Sequence, residues 1–380
     1  MKLSEVPTPS LVLDLAKLRR NARRMAAAAA RHGVALRPHM KTAKSIDVAG
    51  IVLDGQFGGI AVSTLKEAEY FAAHGIRDIH YAVCIVPDKL DRVAALQARG
   101  VQMTVVTDNL DVARAIAERG SELGGRFRVL IEVDTGEHRS GVFADSDDLL
   151  AIARILSGAS NAELAGVMTH AGHSYLARST DEVERVAGAE RAGVVRAAER
   201  LRAAGHVFDV VSMGSTPTAL HAVDLSVVTE IRAGVYMFGD MFQAQIGSCA
   251  VDDLAVSVLA EIIGQRHEFG RIQVDAGALA LSKDRSTQAV PNDVGFGLVA
   301  GVDGRPFLDQ LVVGRVYQEH GEIALAGDLS MADMPIGGRV RIYPNHVCMT
   351  AAMYDGYHVV DSDEGDGQEV LAVWPRVNGW

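Results

Sequence analysis

Cysteine is scarce in this chain: 380 residues carry three, Cys84, Cys249 and Cys348. An odd number spread over such a length argues against a disulfide framework and fits a reducing cytoplasm. Long apolar runs are missing too. No segment approaches the ~20 apolar residues of a bilayer span, so no membrane association is expected. The first twenty residues are broken by Glu5, Asp14, Lys17, Arg19 and Arg20, without the continuous apolar core of a secretory signal. Positive charge is in deficit, and a net charge of −11 argues against a nucleic-acid partner. Repeats of solenoid period and low-complexity tracts are absent. What remains is an ordinary soluble composition, 48% hydrophobic and 22% charged, rich in alanine and glycine and poor in aromatics. Its length exceeds what one core usually sustains and predicts two domains.

The chain is organised around Leu36-Arg37-Pro38-His39-Met40-Lys41-Thr42, where an apolar run closes on a lysine. A desolvated lysine with a lowered pKa at a cleft is a nucleophile that forms a Schiff base with a carbonyl. Further short apolar runs occur at 58–63, 79–84, 101–106, 127–133, 164–170, 207–213 and 227–232, most of them separated by helix-like stretches such as 110–123 and 181–204. Strands alternating with amphipathic helices predict βαβ units. Eight of them in about two hundred residues predict an α/β fold with a closed (β/α)8 barrel over 15–240. An open doubly wound sheet is the alternative, but no Gly-x-Gly-x-x-Gly turn follows the first strand. After about residue 240 the rhythm changes to short strand candidates at 254–263, 271–275, 311–319, 340–343 and 357–361, which predict a mostly antiparallel β domain over 241–380.

Barrel active sites lie at the C-terminal ends of the strands, and the polar residues there are pointed. His39 and Lys41 follow the first strand, Glu132-Val133-Asp134-Thr135-Gly136 and Arg139 the fifth. Thr169-His170 and Gly172-His173-Ser174-Tyr175 follow the sixth, Gly214-Ser215-Thr216-Pro217-Thr218 the seventh, and Arg232-Ala233-Gly234-Val235-Tyr236 the eighth. Gly214, Ser215 and Thr216 combine backbone N–H groups, two hydroxyls and a helix start at Pro217, the makings of a phosphate cup. A phosphorylated cofactor held there, with a lysine on the first strand, points to pyridoxal 5'-phosphate.

Together, Arg37-Pro38-His39-Met40-Lys41-Thr42, Glu132-Val133-Asp134-Thr135-Gly136, Arg139-Ser140-Gly141 and Gly214-Ser215-Thr216-Pro217-Thr218 resemble the alanine racemase-like (fold type III) pyridoxal-phosphate enzymes. Within them the chain looks like the branch of D-serine dehydratase, D-threo-3-hydroxyaspartate dehydratase and D-threonine aldolase. The resemblance runs from Thr8 to the last residues. It implies that Lys41 carries the cofactor and that Arg139 lies near its phenolic oxygen. It implies further that Gly214, Ser215 and Thr216 hold the phosphate, with Gly234 and Val235 completing the cup. His39, His170, Tyr175 and Tyr236 are expected to surround the cofactor. The strand at 10–14 is expected to join the β domain, and the protein to be a homodimer.

A second motif is Pro344-Asn345-His346-Val347-Cys348. On an extended strand His346 and Cys348 point to one face, about 6–7 Å apart. There an imidazole and a thiolate can share a divalent metal, with Zn2+ favoured by the soft thiolate and Mg2+ or Mn2+ the alternatives. Such a pair by itself is weak evidence. In the family, however, the matching positions bind a divalent cation, and aldolases carry aspartate where this chain has Cys348. That favours dehydration of a D-3-hydroxy amino acid, such as D-serine, D-threonine or D-threo-3-hydroxyaspartate, over retro-aldol cleavage. One departure is Lys41-Thr42-Ala43-Lys44, where many relatives have a histidine in place of Ala43. Its loss fits less well with an aldolase, which must deprotonate the substrate hydroxyl. A racemase needs a second base, for which Tyr343, Tyr354 and Tyr357 are the candidates. A non-catalytic pyridoxal-phosphate protein is typically a lone barrel, which the β domain argues against.

Overall fold

The computed structural model describes residues 1–307 and 310–380. It divides into two compact units, one formed by residues 24–41, 52–234 and 379–380, the other by residues 1–23, 42–51 and 235–378.

The chain opens with β1 (Ser10–Asp14) and the helix Leu15–Arg31, then β2 (Ala35–Pro38), β3 (Ile60–Val62), β4 (Asp78–Cys84), β5 (Gln102–Thr107) and β6 (Phe127–Asp134). A two-residue β7 (Val142–Phe143) sits beside β6, followed by β8 (Ala162–Met168), β9 (Val210–Met213) and β10 (Glu230–Ala233). Among the described residues, eight of these strands form a parallel sheet in the order β2-β10-β9-β8-β6-β5-β4-β3. A bridge from His39 to Ala61 brings β2 back to β3 and nearly closes the ring. This is the (β/α)8 barrel expected from the alternating pattern. The strands are apolar on both faces, as parallel strands covered by helices must be; Val105, Val129, Ile131 and Val211 are fully buried.

The helices between them carry their own start and stop signals. Asn109 caps Leu110–Leu123 by accepting from the N–H groups of Asp111 and Val112, and Gly124, at φ 64°, ends it in the left-handed conformation. Ser179 starts Thr180–Ala203 by accepting from Glu182 N–H. Arg37 points away from the strand tips. Its Nε donates to Glu230 at 2.8 Å and Nη1 to Asp78 at 2.8 Å. These acids open β10 and β4, so the arginine of the signature stretch braces the N-terminal, structural end of the barrel.

The second unit is built on β11 (Val256–Arg266), β12 (Arg271–Val274), β13 (Gly297–Ala300), β14 (Val313–Val316), β15 (Gly321–Ala324), β16 (Arg339–Pro344), β17 (Gly356–Val360) and β18 (Ala372–Pro375). The order is β14-β15-β12-β11-β1-β17-β18, with β16 pairing β11 and β13. Among the described residues all strand pairs of this sheet are antiparallel except β1 with β17. β1 runs through the middle, with Leu11, Val12 and Leu13 fully buried. The run expected at 311–319 is shorter, only Val313–Val316. The strands β13, β15 and β18 were not expected. Each is four residues long, Gly-Leu-Val-Ala in β13 for example, too short for a period to show. No helix of the described residues is long and apolar enough to cross a membrane.

Candidate active site

Lys41 leaves the tip of β2 between two anchors. His39 N–H donates to Ala233 O and Met40 N–H to Ala61 O, both at 2.8 Å, so β10 and β3 hold the segment from either side. The Lys41 N–H also meets His39 Nδ1 at 3.4 Å. The side chain is exposed, a correction to the desolvated lysine expected from sequence, because it stands beyond the last strand pair rather than within it.

Around it the barrel rim gathers two histidines that burial keeps neutral. His39 is lowered well below the usual imidazole range by burial and then by the charges of Lys41 and Arg232. His170 is pushed down to about 3 by burial and the Lys41 charge, against a hydrogen bond to Gly214 that pulls it up. His170 Nδ1 lies 3.0 Å from Gly214 O, and a carbonyl only accepts, so Nδ1 carries the proton and Nε2 presents a lone pair.

The Gly214 loop is fixed from several directions. Gly214 adopts φ +124°, and a Cβ there would come within 2.9 Å of Arg232 O, so glycine is required for the turn to pack against the β10 backbone. Ser215 caps the short helix Thr216–His221 in a reciprocal box with Thr218: Ser215 N–H donates to Thr218 Oγ1 at 3.0 Å, and Thr218 N–H to Ser215 Oγ at 3.3 Å. Ser215 Oγ is also 2.8 Å from Ser174 Oγ. Beneath the loop, Glu190 Oε1 accepts from Gly214 N–H at 2.9 Å and Ala171 N–H at 3.0 Å. Burial pushes the Glu190 carboxyl up to about 7. The glycine turn, the capped helix start and the neutral histidines beside Lys41 fit the binding of a phosphorylated pyridoxal. Gly234 is buried after β10.

Arg139 is exposed on the loop after β6, 3.4 Å from Glu137, and near enough to His170 to lower its pKa. Tyr175 is half-buried in the turn Gly172–Leu176. In the second unit, Val235 and Tyr236 are buried in the turn Val235–Met237, and burial pushes the Tyr236 phenol up. Cys84, half-buried at the end of β4, donates to Glu132 Oε2 at 3.1 Å; burial and that carboxylate push its thiol up.

The second motif also lies in the second unit, in a different geometry from that expected. β16 ends at Pro344; His346 is extended (φ −135°, ψ 102°) and caps the one-turn helix Val347–Ala351, so Cys348 is helical rather than on a strand. Asp240 explains the switch: its Oδ2 accepts from Val347 N–H at 3.1 Å and pins the helix start. The cap still brings the His346 imidazole and the Cys348 thiol within hydrogen-bonding reach, and Cys348 Sγ lies 3.4 Å from Thr42 Oγ1. His346 Nδ1 is 2.7 Å from Asp284 Oδ2, which leaves Nε2 as the nitrogen for a metal. Asp284, held in turn by the Ser286 N–H at 2.9 Å, is lowered to about 2 by the hydrogen bond from His346. Burial opposes protonation of His346, but its bonds to Asp284 and Cys348 prevail and raise it to about 11. No group of three or more His, Cys, Asp or Glu among the described residues is arranged to hold a metal. An imidazole and a thiol with a carboxylate behind the imidazole fit an open site, completed by non-protein ligands, better than a closed structural one.

Glu190 and Asp284 were not singled out in the sequence. Glu190 falls in register with the buried Val183, Ala187, Val194 and Ala198 of its helix, a periodicity that marks it as inward-facing. Asp284, in Ser282-Lys283-Asp284-Arg285, offers no such signal. The three tyrosines considered as a racemase base are tied to carbonyls: Tyr343 donates to Gly304 O, Tyr354 to Ala280 O and Tyr357 to Ala43 O.

Residues 13–241 match the family model for the N-terminal domain of alanine racemase, and residues 255–360 that of a serine dehydratase domain. The chain is 45% identical to D-threo-3-hydroxyaspartate dehydratase of Delftia sp. (strain HT23), covering 100% of this chain and 99% of the relative. It is 31% identical to a D-threonine aldolase of Arthrobacter sp, covering 94% and 90%. A solved cysteine-to-alanine variant of D-threo-3-hydroxyaspartate dehydratase, in its metal-free form, superposes with a TM-score of 0.95 at 44% identity over 100% of both chains. The lysine beyond β2, the glycine loop beyond β9 and these matches together place the chain in the alanine racemase-like family that includes the D-hydroxyaspartate dehydratases, D-serine dehydratases and D-threonine aldolases.

Proposed function

We propose that this protein is a pyridoxal-phosphate- and metal-dependent lyase that dehydrates a D-3-hydroxy amino acid to an oxo acid and ammonia. The observation that carries the reading is the His346–Cys348 pair backed by Asp284, present in a chain that also has Lys41 and the Gly214 loop on its barrel. When bound, pyridoxal phosphate supplies an electron sink for the α-carbanion and the divalent cation, Zn2+ by the softness of the thiolate, supplies Lewis-acid polarisation of the leaving hydroxyl. Lys41, as a free amine, takes the proton from Cα. Glu190 and His170 hold the Gly214 loop, with His170 kept neutral. His346 and Cys348 hold the cation, and Asp284 orients the His346 ring. The Cα–H and Cβ–O bonds break, the hydroxyl leaves as water, and the released enamine takes up water and gives off ammonia. The metal-free form of the relative is a cysteine variant, which supports assigning a metal to Cys348.

Product analysis with D-serine, D-threonine and D-threo-3-hydroxyaspartate tests the proposal. Oxo acid and ammonia in equal amounts are expected. Glycine plus an aldehyde identifies the aldolase instead. Activity that survives EDTA treatment undiminished rejects the metal-dependent reading.

A further inference from the structure

One cavity stands apart from the residues assigned above. It lies within the second unit, has a volume of about 470 Å3, and is lined by Asp14, Lys17, Gly304, Arg341 and Tyr343 among others. Arg341 belongs to the middle of the sheet, opposite Leu259 on β11 and Ala300 on β13, and is 2% exposed. Its Nε donates to Ser257 Oγ at 2.8 Å, while Nη2 is buried without a partner. Among the described residues it forms no ion pair. A guanidinium taken out of water with no carboxylate beside it is unfavourable unless something supplies the opposite charge. Its flat fork matches a carboxylate.

The same cavity holds the converse case. Asp14, also 2% exposed, accepts at Oδ1 from the N–H groups of Lys17 and Ser362, both at 3.3 Å, and is paired with no cation among the described residues. Arg341 and Asp14 therefore line one cavity as buried opposite charges that are not paired with each other. The Lys17 ammonium stands at the wall, 3.4 Å from Tyr343 Oη. Gly304, at φ +79°, keeps the guanidinium approachable, since a Cβ there would come within 2.7 Å of Arg341 Nη1. A phosphate dianion suits this cavity poorly, because Asp252, Asp303 and Asp366 line it as well. A molecule with one carboxylate and one ammonium satisfies both buried ions.

We infer that this cavity is a second binding site, for a small zwitterionic amino acid, with Arg341 and Lys17 on its carboxylate and Asp14 on its ammonium. The probe is L-alanine, which has no β-hydroxyl to eliminate, titrated calorimetrically into the wild-type holoenzyme beside propionate, which lacks the ammonium. Arg341→Gln should weaken both by roughly tenfold or more, leaving turnover unchanged. Asp14→Asn keeps the Oδ1 acceptor and should weaken L-alanine by a similar factor without affecting propionate. Absence of L-alanine binding to wild type, or an affinity equal in wild type and both variants (as for binding at the Lys41 site alone), overturns the inference. Because Asp14→Asn changes one atom and spares the turn, the test stands even where Arg341→Gln folds poorly.

Discussion

Glu190 offers a quantitative test of how the barrel rim is held. It is fully buried in the helix Thr180–Ala203, and its Oε1 accepts from both Gly214 and Ala171 N–H groups. Burial moves its carboxyl from 4.5 to about 7 against those bonds. A carboxyl raised on folding stabilises the native state fully below its unfolded pKa, and that contribution is lost as pH rises through the folded value. Linkage makes the loss about 3 kcal/mol between pH 4 and pH 8, of which about 1.3 kcal/mol falls between pH 6 and pH 8. For a unit of this size the latter is roughly 3–5 °C in Tm. Glu190→Gln retains an oxygen acceptor and cannot ionise, so it should remove that slope. Melting curves of wild type and Glu190→Gln, recorded from pH 6 to pH 8, should draw apart by about 1.3 kcal/mol over that range, with the wild type losing stability relative to the variant. Glu190→Ala leaves two buried N–H groups unpaired and should lose about 2–5 kcal/mol at every pH. Parallel pH curves for wild type and Glu190→Gln would refute the assignment of an inward, raised carboxyl beneath the Gly214 loop.

Four further outcomes are expected. Lys41→Ala should abolish both the yellow imine absorbance of the purified protein and its activity; a borohydride-trappable adduct persisting in that variant contradicts the role given to Lys41. Cys348→Ala should leave a folded protein that binds cofactor and exchanges the α-proton of a D-amino acid but expels hydroxyl slowly or not at all, whereas joint loss of fold and cofactor would mark the metal as structural. Asp284→Asn should weaken metal affinity by about 10–100-fold, read by competition with a chromogenic chelator, because the His346 ring loses the charge that orients it. Sedimentation should show a homodimer, and a stable, fully active monomer would disprove it.

The parts of this protein that were legible in its sequence are those set by local rules. The barrel was visible because its strands are short apolar runs and most of them are separated by amphipathic helix-like stretches, as at 110–123 and 181–204. The positions of Lys41 and Gly214 were legible for a related reason, since a residue just past a barrel strand lies at the C-terminal end of the barrel. The tertiary structure decided which distant side chains meet. Arg37 pairs with Glu230, 193 positions away, because β2 lies beside β10. Asp284 reaches His346 across 62 positions, with nothing near either to announce it. Cys348 reads locally as the continuation of a strand, and becomes helical because Asp240, 107 residues before Val347, captures that residue's N–H. Likewise Arg341 and Asp14, neither in an ion pair among the described residues, share one cavity only because β16, β11 and β1 bring them together. Periodicity and capping act over a few residues and so can be read along the chain, whereas charge pairing and hydrogen-bond capture depend on distances that chain order does not encode.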